Sequence, residues 1–113
     1  MNPNQRISAQ PGDFVKYTPK DYEIVAASQT AQAIGARGAA GDIVDCVVIT
    51  SNTAATATVT LIDGANSIPL LVGSATTPLG VFTISCYGMA SVNGGWTVTT
   101  GAGATALLIG SFT

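Results

Sequence analysis

The sequence predicts an all-β fold: an antiparallel two-sheet sandwich, jelly-roll-like, preceded by an extended N-terminal arm. Three observations carry that expectation. Short runs of Val, Ile and Leu alternate with Thr and Ser at a period of two, the pattern of a half-buried strand. Gly, Asn and Asp cut these runs at the short spacing of an antiparallel sandwich. Charge is also scarce. Charged residues are 9% of the 113-residue chain, against about 25% in ordinary soluble domains, and between Asp63 and Thr113 only Asp63 is charged.

A chain of this length makes one domain and buries roughly 65% of its unfolded surface on folding. That suffices for one core without metals or disulfides. Residues 1–23 read as the arm and 24–113 as the sandwich. Pro3, Pro11 and Pro19 bias their preceding residues to extended geometry and forbid a continuous helix over the arm. Phe14, Val15, Tyr17 and Tyr22 give it apolar surface with which to dock, on its own domain or on a neighbour.

From Glu23 to Gly41 the alanine content favours helix by propensity. Gly35, Gly38 and Gly41 would end any helix within about two turns, so the segment reads as short strands around Ile24-Val25-Ala26-Ala27 and Gln32-Ala33-Ile34. Ile43 to Thr50 is an apolar, β-branched run broken by Asp45. With Asp45 facing solvent, alternation sends Val44, Cys46 and Val48 inward. Ala57 to Ile62 alternates Thr58 and Thr60 with Val59 and Leu61, and Asp63-Gly64 suits a tight reversal. Ser67 to Val72 follows, and Pro69 assigns it to an edge or a bulge.

After a loop from Gly73 to Gly80, Val81 to Tyr87 turns Phe82, Ile84 and Cys86 to the core. Asn93-Gly94 reads as a hairpin turn, with Trp96, Val98 and Thr100 beyond it on one face. Gly101-Ala102-Gly103 leads into the last strand, Thr105 to Ile109.

Composition also bounds function. Arg6, Lys16, Lys20 and Arg37 against six acids cannot make the basic stripe that nucleic acid requires. No apolar run approaches the ~20 residues that span a bilayer, and Met1 to Arg6 lacks the pattern of a secretion signal. Synthesis in a cytosol is therefore expected. So little charge leaves surface undefended, and the expectation is that other subunits cover part of it.

The residues of catalysis are sparse. There is no His, so neither Cys46 nor Cys86 has an imidazole to deprotonate it. The two cysteines form no CxxC motif and read as free, buried thiols acting as small hydrophobes, with a disulfide between facing strands as the alternative. Asp42 and Asp45 are three apart, which puts them on opposite faces of a strand, and both read as solvated charges. Asp63-Gly64-Ala65-Asn66 is too poor in charged oxygens for calcium. Gly101-Ala102-Gly103-Ala104 lacks the Lys and the strand-to-helix context of a phosphate loop. Trp96 reads as a core anchor rather than a sugar platform. No catalytic, cofactor or metal residue is expected.

Three strings carry a resemblance: Asp21-Tyr22-Glu23-Ile24-Val25-Ala26-Ala27-Ser28-Gln29-Thr30, the strand-opening Gly41-Asp42, and Asn93-Gly94-Gly95-Trp96-Thr97-Val98-Thr99-Thr100-Gly101-Ala102-Gly103-Ala104. Over most of its length the chain resembles small tailed-bacteriophage virion proteins of the head-decoration, cement or head-fibre type. The resemblance implies a β-sandwich on the outside of an assembled capsid, bound to the major capsid protein and present as a homo-oligomer, a trimer or a dimer. On that reading Phe14, Val15, Tyr17 and Tyr22 are capsid or subunit contacts. The alternative is a tail or fibre module that binds a receptor or glycan.

Overall fold

A computed structural model of the protein describes residues 20–113. Eight strands form two antiparallel sheets of four. They are β1 (Asp21–Val25), β2 (Gln32–Ala33), β3 (Ile43–Ser51), β4 (Val59–Asp63), β5 (Asn66–Leu71), β6 (Gly80–Ala90), β7 (Trp96–Thr100) and β8 (Ala104–Ser111). The first sheet has the order β1-β8-β3-β6 and the second β2-β7-β4-β5. This is the strand order of an eight-stranded jelly roll. β1 begins at Asp21, so the division expected between residues 23 and 24 falls inside a strand. The arm expected over 1–23 lies outside the described residues up to residue 19.

The core is the space between the sheets. Val25, Val44, Val47, Ile49, Ala106 and Leu108 enter it from the first sheet, and Val59, Leu61, Trp96 and Val98 from the second. Trp96 is the anchor that its alternating strand implied. It is buried, and its Nε1 donates to the Asp42 carbonyl at 2.8 Å, so the ring is unavailable for stacking on a sugar.

The inward set on β3 differs from the alternation read in the sequence. Val44 is buried as expected, but the inward residues after it are Val47 and Ile49, while Cys46 and Val48 turn to the outer side. A bulge at Asp45 is the cause: pairing with both β6 and β8 slips between Val44 and Cys46. One extra residue reverses every later side chain.

The Asn93-Gly94 turn is the second correction. It joins β6 of one sheet to β7 of the other, so the flanking strands are not hydrogen-bonded to each other and no hairpin forms. The left-handed glycine (φ +122° at Gly94) serves a passage across the sandwich. Among the described residues the single tight hairpin is β4–β5, where Asp63 pairs with Asn66 and Gly64 has φ +62°. Pro69 lies on the sheet edge beside a slip between Val59 and Thr60, in accord with its expected demotion.

Candidate interaction surface

The two outer faces of the sandwich are chemically unlike. On the second sheet, Thr60 lies between Pro69 and Thr99, and Ile62 between Ser67 and Thr97. Hydroxyls dominate that face, and water solvates it readily.

The first sheet presents three rungs of another kind. Tyr22, Ile109, Cys46 and Ser85 form one across β1, β8, β3 and β6. Ile24, Leu107, Val48 and Thr83 form the next, and Thr105, Thr50 and Val81 the third. Tyr22 is 69% exposed, Ile24 65% and Val81 66%, and the more central side chains are half-buried. No charged residue stands in these rungs. The nearest charges, Lys20 and Asp45, neutralise each other at 2.8 Å at one end of the face. Strands about 4.8 Å apart and rungs about 7 Å apart give a face on the order of 400 Å², in which Tyr22, Ile24, Val48, Val81, Leu107 and Ile109 form the apolar part and Thr50, Thr83, Ser85 and Thr105 add hydroxyls.

Of the expected contact residues, the structure places Tyr22 on this face, paired with Ile109. Phe14, Val15 and Tyr17 lie outside the described residues. The reading from sequence omitted Ile24, Val48, Val81, Leu107 and Ile109. The available signal was that Ile43 to Ile49 and Ala104 to Ile109 are apolar at both strand parities, as in a sheet covered on both sides.

The carboxylates are engaged in structure. Asp42 was expected in solvent, but it is buried. It accepts from the Thr113 hydroxyl at 3.0 Å and from the Thr113 and Ala39 amides at 3.2 and 3.3 Å. The turn before β3 folds the carboxylate back onto unpaired amides, a competing demand that strand alternation does not describe. Asp45 pairs with Lys20. Asp63, also buried, accepts from the amides of Val92 at 3.0 Å and Asn93 at 2.8 Å. Among the described residues no three metal-ligating side chains converge, and no cavity opens.

The glycine loop before β8 is occupied as well. Gly101 donates to the Thr58 carbonyl at 2.7 Å and Gly103 to the Thr56 carbonyl at 3.1 Å. A side chain at either position would collide with the carbonyl oxygens of Thr56 or Thr53. These glycines permit close approach of backbone to backbone, and their amides are not turned to an anion. Cys46 and Cys86 are both free thiols. Burial, and then the neighbouring Cys46, pushes the Cys86 thiol above its ordinary value, which suppresses the thiolate and with it nucleophilicity.

Comparison with protein-family models finds no matching family, and neither curated proteins nor solved structures return a match.

Proposed function

We propose that this protein is a structural virion component that binds the outer surface of an assembled bacteriophage capsid and works by adhesion rather than catalysis. The observation that supports the reading is the uncharged outer face of the first sheet. Covering an apolar face is favourable, and its hydroxyl-rich counterpart on the second sheet provides the side left to water. The sequence resemblance to head-decoration, cement and head-fibre proteins supplies the partner, the major capsid protein. A shell of identical sites rewards a small protein whose copies each contribute modest contacts, because linked contacts gain by effective concentration.

The test is co-sedimentation with undecorated phage heads. Leu107→Glu and Ile24→Glu place carboxylates on the face without entering the core, and Thr99→Glu is the matched change on the opposite face. Head binding is expected to fall at least tenfold for the first two and to stay unchanged for the third. Equal binding by all three overturns the role of this face. A chain lacking residues 1–19 separates the arm from the sandwich: undiminished binding removes the arm from the mechanism.

A further inference from the structure

Of the four strands at the sheet edges, three carry a device against pairing with another chain. β1 bears Asp21 and Glu23, β5 contains Pro69 beside a bulge, and β2 is two residues long. Charge, proline and shortness are the means by which edges are kept unpaired. β6 has none of these over its first half. It is the longest strand, eleven residues, it borders only β3, and it contains neither a charge nor a proline. Its irregularities are positive φ at its first residue, Gly80, and at Tyr87 and Gly88, which leaves Val81 to Ser85 regular. Along that stretch the pairing with β3 is unbroken. Every second amide and carbonyl there faces away from β3, and among the described residues no strand receives it.

We propose that the β6 edge pairs with β6 of a second copy, antiparallel about a twofold axis near Thr83, to make a dimer with one continuous eight-stranded sheet. The inference rests on the homo-oligomer that the sequence resemblance implies and names its interface. The occupant follows from the edge itself. Antiparallel self-pairing about Thr83 opposes Val81 to Ser85 and Phe82 to Ile84, so no like charges meet and apolar side chains face apolar ones on the inner side. A ladder over Val81 to Ser85, five residues on each strand, supplies about five backbone hydrogen bonds, at the low end of the range of about 5 to 15 direct bonds of a stable interface. A twofold contact also closes on itself, which leaves no free β6 edge to propagate a fibre. The outer faces of the two first sheets then lie side by side, and each dimer presents two adhesive patches to the repeated sites of a shell.

The test is the mass of the full chain by sedimentation velocity, with circular dichroism to verify folding. Wild type is expected at twice the chain mass, Thr83→Lys at the single-chain mass because two lysines meet near the axis, and Thr99→Lys at twice the mass. Should Thr83→Lys not fold, Thr83→Cys in a Cys46→Ser background decides: oxidation is expected to link two chains, and Cys46→Ser alone is not. A monomeric or trimeric wild type overturns the pairing, as does a dimer that survives Thr83→Lys. A dimer lost on removing residues 1–19 but retained by Thr83→Lys assigns the contact to the arm and likewise overturns it. Head binding reads out separately: a wild-type dimer that ignores heads overturns the virion reading and upholds the edge.

Discussion

Asp63 shows how a carboxylate in a charge-poor chain can be structural. It closes β4, and its oxygens hold the amides of Val92 and Asn93 in the passage between β6 and β7. Asp63→Ala leaves two amides unpaired, and hydrogen bonds to a charged group contribute about 1.5–3 kcal/mol. Urea denaturation is expected to show a loss of that order, with Asp63→Asn recovering part of it. Cys86 gives a second expectation. Its thiol is raised by burial and by Cys46, so the folded state favours the protonated form. That contribution is complete below the unfolded thiol's value, about 8.5, and is lost as pH rises through the higher folded value. Stability measured from pH 7 to 10 should fall on the alkaline side, and Cys86→Val should flatten the decline. Under native conditions iodoacetamide should leave Cys86 unmodified.

At the scale of the strand, the bulge at Asp45 decides which half of β3 faces the core. It needs a partner without a side chain: a Cβ on Gly110 would collide with the carbonyl oxygen of Ile43. Gly110→Ala is expected to cost about 1–3 kcal/mol by overpacking, read as a lower thermal midpoint, whereas Ser111→Ala should change little. Strand existence was legible because Thr alternates with Val and Leu in β4 and β7. The parity of β3 was not, because Ile43 to Ile49 is apolar on both sides of the bulge and gives alternation nothing to register. The same apolarity hid the outer face of the first sheet. Leu107 and Ile109 look like core until β8 is seen to present them away from Ala106 and Leu108.

In the whole molecule, local turn chemistry and global topology part company. Asp63-Gly64 and Asn93-Gly94 offer similar reversals, yet the first makes a hairpin and the second a crossing. The difference lies in which sheet receives the next strand, and that depends on partners far away in sequence. Every connection except β4–β5 passes from one sheet to the other. β8 lies between β1 and β3, pairing Ile24 with Leu107 and Val48 with Leu107. Ladders between such distant segments fold slowly, in milliseconds to seconds. Stopped-flow refolding followed through Trp96 should fall in that range. During translation, β1 and β3 remain strangers until β8 leaves the ribosome and slots between them. The outer face of the first sheet is thus complete only once β8 arrives, and a half-made copy lacks the surface proposed to meet a capsid.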